Sequence, residues 1–325
     1  MNRQLAGWVL VVLFGVWFST VASAQVSVVT SIRPLALIAE EVLAPINPQI
    51  EVIVPQSASP HGFSLKPSHL QAILSAPALV WLGPSFEPYL EKAIQKRQHQ
   101  QGVLVVEHLK GIRLLQGRAA EQVFIEHAHI EGPLKGSSET SLNEQHHHHH
   151  HSDSGYDPHL WWSSANAMII ASAIARETAA QHPEYKSRIE NSLAAFKARM
   201  AQQKQAINTQ PASSTASFVM YHDSLLYLEQ ELARFSKRRV TWAPEAKPSI
   251  KDMLAVKKLL NSQQAQCLIV EPNINPRFLH KVKPRNAVQV FTIDPLGWDA
   301  KSYSGMWANA ANILVECSQH RLPGN

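Results

Sequence analysis

Three histidines in this chain stand where ordered segments break off. His222 ends the apolar run Phe218-Val219-Met220-Tyr221 and is followed by Asp223 and a helix-like pattern from Ser224. That places it at the carboxyl end of a strand, where open α/β sheets gather their ligands. His61 lies in SASPHGFSLKPSH and His159 in YDPHLWW, at similar breaks, and Asp294 closes the strand VFTID before PLG. Three neutral imidazoles and one carboxylate, each at an element end, make the donor set of a tetrahedral zinc site. Three imidazoles and a water also describe catalytic zinc, with Asp294 or Asp223 as the general base. The chain has neither H-E-x-x-H nor G-x-S-x-G, which favours binding over hydrolysis.

A second group of imidazoles has another character. From about 117 to 155 the hydrophobic pattern fails, and the segment holds His127, His129 and the run His146, His147, His148, His149, His150 and His151 among Ser, Glu and Gly. No core can be built from this composition, so the expectation is a mobile loop. Imidazoles on such a loop chelate metal weakly and would form an auxiliary site. Six consecutive histidines are also a common purification tag, but this run is internal and His127 and His129 lie outside it.

Strand and helix signals alternate around these positions. In the N-terminal half, β-branched runs fall at 26–32, 50–54, 79–82 and 103–106. Helical patterns lie between them, one over 34–43 with Leu35, Ile38 and Ala39 on one face, and one from Ser68, where Ser68 and Gln71 read as a capping box. The C-terminal half repeats the plan without sequence similarity. Its strands are expected at 217–221, 238–242, 267–270 and 288–293, with helices at 249–260, capped by Ser249 and Asp252, and at 304–317. Between the halves, Ser163 or Ser164 can cap a helix over 165–180. A second, from near Pro183 to about Gln205, would span over ~30 Å at roughly 1.5 Å per residue. The predicted fold is therefore α/β, two lobes of parallel β/α units joined by a long rigid backbone helix, with the metal site in the cleft between them. The expected division is a signal peptide at 1–24, an N-terminal lobe at 25–165, connecting helices at 166–212 and a C-terminal lobe at 213–325.

The signal assignment rests on Arg3, an apolar core over 8–18 and the A-x-A site Ala22-Ser23-Ala24. Cleavage after Ala24 would leave Gln25 first, not the Cys of a lipoprotein, so a free periplasmic protein is expected. The 30 Lys and Arg against 25 Asp and Glu are scattered without a basic stripe, so no nucleic-acid partner is indicated. An exported chain favours pairing its two cysteines, Cys267 and Cys317, which would tie the last helix to the sheet. The alternative is two buried free thiols.

Seven segments, SASPHGFSLKPS, ALVWLGP, PHLWWSSANA, FVMYHDSLLYLE, CLIVEPNINP, TIDPLG and KSYSGMW, run through almost the whole mature chain. In order and spacing they resemble the zinc-binding, ZnuA-type members of the periplasmic metal-binding proteins of ABC transporters. The resemblance implies zinc ligands at His61, His159 and His222. Manganese-type relatives usually carry Glu at the third position. Some zinc members have Glu just before the first histidine, where this chain has Pro60, which leaves the fourth ligand open between Asp294 and a water. It also implies a His-rich loop, cysteines at both matching positions, and a monomer that is not an enzyme. Such a protein captures Zn2+ and delivers it to an inner-membrane permease and its ATPase. Alternatives are a manganese-binding member, a periplasmic zinc buffer working through the His run, and a zinc hydrolase.

Overall fold

The short β-branched runs form two sheets of the same design. A computed structural model of the chain describes residues 25–97, 102–118, 155–210, 218–282 and 288–319. The signal segment, the stretch holding His127, His129 and His146 to His151, and the linker residues 211–217 lie outside these. In the first sheet, β1 (Ser27–Thr30), β2 (Gln49–Val52), β3 (Ala78–Trp81) and β4 (Val103–Val105) are all parallel, in the order β2-β1-β3-β4. Helices α1 (Arg33–Leu43), α2 (Pro67–Ser75) and α3 (Pro88–Gln95) make the crossovers. Then come α4 (Ser164–Gln181) and α5 (Lys186–Asn208). The second sheet has β5 (Phe218–His222), β6 (Arg238–Thr241), β7 (Cys267–Val270) and β8 (Gln289–Thr292), parallel and in the order β6-β5-β7-β8. Its helices are α6 (Leu226–Leu232), α7 (Ile250–Asn261), α8 (Pro276–Val282) and α9 (Tyr303–Gln319). The expected α/β two-lobed architecture is the observed one.

Local chemistry explains most boundaries. Ser163 Oγ accepts the Asn166 amide at 3.3 Å and caps α4. Ser249 and Asp252 cap α7 reciprocally, each side chain accepting the other's backbone N–H. Two expectations are corrected. Helix α2 begins at Pro67, one residue before Ser68, because a proline at the first helical position has its φ already set. Ser68 is thus inside the helix, and the Lys66 amide donates to His69 Nδ1 at 3.1 Å instead. Pro183–Tyr185 is a separate 3-10 turn, and α5 follows it from Lys186 for 23 residues, about 34 Å at 1.5 Å per residue.

One apolar core runs through both halves. It takes in Leu35, Ile38 and Val42 of α1, Ile170 and Ile174 of α4, Phe196 and Met200 of α5, Phe218 and Met220 of β5, and Trp307 and Leu314 of α9. Trp161 and Trp162 sit at its middle. Trp161 Nε1 donates to the Pro295 carbonyl at 2.9 Å, Tyr303 Oη donates to the Trp161 carbonyl at 2.6 Å, and Trp307 Nε1 donates to the Trp162 carbonyl at 3.1 Å. Two carboxylates pin the helices around this core. Glu41 of α1 accepts from Ser304 N (2.9 Å) and Oγ (2.6 Å) of α9 and from Arg199 Nε (2.9 Å) of α5. Glu231 of α6 accepts from Ser164 N (2.8 Å) at the start of α4 and pairs with Lys204 Nζ (2.9 Å) of α5. Smaller clusters cover the outer face of each sheet.

Cys267 of β7 is bonded to Cys317 of α9, with Cα atoms 5.7 Å apart at a sequence separation of 50. Closing a loop of that size stabilises the fold by roughly 4 kcal/mol in the chain-entropy account. Reductant should therefore lower the Tm, and the unreduced protein should show no reactive thiol when unfolded. Two thiols titrating in that state would overturn the bridge.

Glu87 lies at the carboxyl side of β3, is 1% exposed, and accepts the Leu82 amide at 2.7 Å. Burial raises its carboxyl from 4.5 to about 7, against the pull of that hydrogen bond. The folded chain then holds a proton that the unfolded chain has released, so the contribution of Glu87 to stability falls as pH rises from about 4.5 to about 7 and is flat above. Glu87→Gln keeps an acceptor for Leu82 and removes the titration. Relative to the parent chain, its stability in urea should improve by roughly 1–3 kcal/mol between pH 4.5 and pH 8. A constant difference across that range would refute the buried acid.

Candidate metal centre

The three histidines named from the sequence converge. Their ligand-capable nitrogens all lie within 4.8 Å of one another, with ring centroids 5.1–5.4 Å apart. Each arrives by a different local device. Ser59 caps a 3-10 turn, Pro60–Gly62, that follows β2, and its Oγ accepts the His61 amide at 3.3 Å. His159 opens the turn Leu160–Trp162 ahead of α4. His222 is the last residue of β5. His159 and His222 are buried, at 2% and 5% exposure, whereas His61 is half-buried.

Two acids hold the buried rings. The pairing of β5 with β7 aligns Met220 with Ile269, and two residues on it puts His222 beside Glu271. Glu271 Oε1 lies 2.5 Å from His222 Nδ1. Asp157 Oδ1 accepts the His159 amide at 2.9 Å and lies 3.2 Å from His159 Nδ1. Tyr227 Oη fixes that segment, donating to the Asp157 carbonyl at 3.1 Å and accepting the Leu115 amide at 3.0 Å. A carboxylate on Nδ1 favours the tautomer whose lone pair is on Nε2, facing the centre. Among the described residues, His222 Nε2 is buried there without a hydrogen-bond partner. An orphaned acceptor facing two other imidazoles is what a cation would satisfy, and three neutral imidazoles suit borderline-soft zinc.

Asp294 lies outside the group of three. Its Oδ1 accepts the Leu296 amide at 2.9 Å and its Oδ2 the Trp298 amide at 2.6 Å, so both oxygens serve the turn that follows β8. That turn needs Gly297, which takes φ +65° and would drive a Cβ into the Met306 side chain. Burial raises the Asp294 carboxyl above its ordinary range, opposed by these N–H groups. Asp223, next to His222, is likewise raised by burial, and Arg118 and Arg239 oppose the shift. Arg118 also pairs with the fully buried Glu229. His127, His129 and His146 to His151 fall outside the described residues. The sequence reading passed over Glu271 and Asp157. Glu271 carried the same signal as His222, a ligand-type residue directly after a strand.

Two parallel sheets on a shared helical spine, with donors meeting from both halves, define the class of two-lobed solute-binding proteins. The family model described as zinc-uptake complex component A, periplasmic (ZnuA), matches residues 28–317, and the chain belongs to that family. The high-affinity zinc uptake system protein ZnuA of Haemophilus ducreyi is 34% identical over 284 residues, covering 87% of this chain and 88% of that protein. Its namesake in Yersinia pestis is 30% identical, covering 90% and 92%. A crystal structure of a ZnuA deletion mutant with zinc bound superposes with a TM-score of 0.66 over 92% of this chain and all of that one, at 19% identity. That likeness bears on the fold.

Glu271→Gln leaves His222 Nδ1 without its anionic acceptor. Metal affinity should fall by roughly 10–100-fold with the binding stoichiometry unchanged, the size expected for partners of metal-ligating imidazoles. Titration against a competing chelator measures it, and an unaltered affinity would show the contact to be idle.

Proposed function

We propose that this chain is the periplasmic zinc-binding component of an ABC importer, with Zn2+ as its cargo. His61, His159 and His222 hold the ion, and a water completes the tetrahedron. The observation that carries this reading is the convergence of three imidazoles from both lobes, with a buried His222 Nε2 that has no hydrogen-bond partner among the described residues, in a chain of the zinc-uptake family. Water is preferred to Asp294 as the fourth ligand because Asp294 lies outside the group of three and its oxygens are oriented by the amides of its own turn. In outline, residues 25–165 form one lobe, 166–212 the connection and 213–325 the other, after a signal peptide that is removed behind Ala24. The protein works as a monomer, is not an enzyme, and passes zinc to a permease driven by an ATPase. His127, His129 and His146 to His151 serve as a weak auxiliary metal loop. Zinc selectivity comes from geometry, since raw affinity favours copper at nitrogen donors. Protons compete for the same lone pairs, so affinity declines as pH falls through about 6.

The reading predicts one tight zinc per chain in a chelator competition. His61→Ala, His159→Ala and His222→Ala should each weaken it by more than about 100-fold, beyond the loss expected from a supporting residue. Asp294→Ala should cost far less. His222→Glu replaces an imidazole with a hard oxygen and should shift relative preference toward manganese. Full zinc affinity in all three alanine variants would remove the site, and an Asp294→Ala loss matching a histidine's would make that acid a direct ligand.

A further inference from the structure

An ion must have a route into a site so enclosed. Two of the three imidazoles are buried, and His61 is the half-buried one, so its side faces solvent. The residues on that side come from the other lobe. Strand β6 ends at Thr241, paired with His222, so the segment just after it emerges beside the metal group. Trp242 is the first residue of that segment. Its ring meets the His61 imidazole edge-on, with centroids 6.2 Å apart and planes at 86°, yet it remains 43% exposed. Three residues on, Glu245 is also exposed, and its Oε1 is 3.7 Å from where a Cβ on Gly62 would stand. The segment 242–245 thus meets the turn Pro60–Gly62 twice, with an indole on the ligand and a carboxylate beside its neighbour.

These two side chains do different physical work. An indole offers no lone pair to zinc. A group that obstructs the path without touching the ion raises the barrier equally for entry and exit, and leaves the equilibrium constant nearly unchanged. An exposed carboxylate at a narrow opening adds negative potential, which accelerates arrival of a cation and is screened by salt. We propose that Trp242 and Glu245 form the mouth of the zinc site, Trp242 limiting the rate of exchange and Glu245 drawing the cation in.

The inference rests on the three-histidine site, so the experiment separates the two. Zinc association, and zinc release to an excess of a fluorescent chelator that itself reports the metal it captures, are followed by stopped flow on the full mature chain. Trp242→Ala should speed association and release together, each by roughly fivefold or more, while Kd moves by less than about threefold. Trp242→Phe, which restores an aromatic ring, should return both rates most of the way. Glu245→Gln should slow association by roughly two- to fivefold at low salt, with the difference gone near 0.5 M salt and release unaffected. Both residues are exposed, and thermal melts establish that the variants fold. If Trp242→Ala weakens Kd through release alone, the indole only holds His61 in place and the mouth is refuted. Rates indifferent to both replacements also refute it while the zinc site stands. A parent chain that takes up no zinc, or binds it equally after His61→Ala, ends both readings.

Discussion

The fold depends on burying one apolar core that belongs to neither sheet alone. Each four-stranded sheet has an outer cluster of its own, but the larger core passes between them through Trp161, Trp162 and the apolar faces of α1, α4, α5 and α9. The indole N–H of Trp161 and the carbonyls of Trp161 and Trp162 are satisfied by α9 and the turn before it. Burying those groups unpaired would cost several times what a hydrogen bond contributes net. The two halves are therefore held in one relation, and sliding one past the other would expose apolar surface and strand polar groups at once. Glu41 and Glu231 extend this constraint to the charged rim, each joining three helices.

The candidate metal centre inherits its geometry from that constraint. His159 sits one residue before the turn that carries both tryptophans, so its backbone is fixed by the core itself. His222 is fixed by strand register, flanked by Thr241 on one side and Glu271 on the other. His61 is held by a capped turn and is the least enclosed of the three. Carboxylates surround the imidazoles, but those touching the rings act through Nδ1. That arrangement orients the two rings without offering hard oxygens to an ion at the centre, in keeping with a site for zinc rather than manganese.

Much of this was legible in the residues. Each strand was visible as a short β-branched run, the caps at Ser163 and Ser249 as local signals, and the three histidines as ligand types at element ends. These are short-range properties, set by side-chain period and by backbone groups within a few residues. Helix α2 shows the limit even of local reading: Ser68 and Gln71 look like a capping box, but Pro67 starts the helix one residue earlier, and a side chain inside the helix cannot serve as its cap.

What the sequence determined by itself was the chemistry, which donors the chain owns and at which ends they lie. What only the tertiary structure decided was which of them meet. Glu271 became the partner of His222 because β5 and β7 are neighbours in a particular register, although the two are 49 positions apart in sequence. Asp294, an equally plausible acid by position, lies outside the group of three, each of its oxygens accepting an amide of its own turn. Trp242 reached His61 across the interface between the lobes. Pairings of this kind follow from how strands are ordered and how two sheets are set against a common core. Those choices are made by summed burial over the whole chain, and no short stretch of residues carries them.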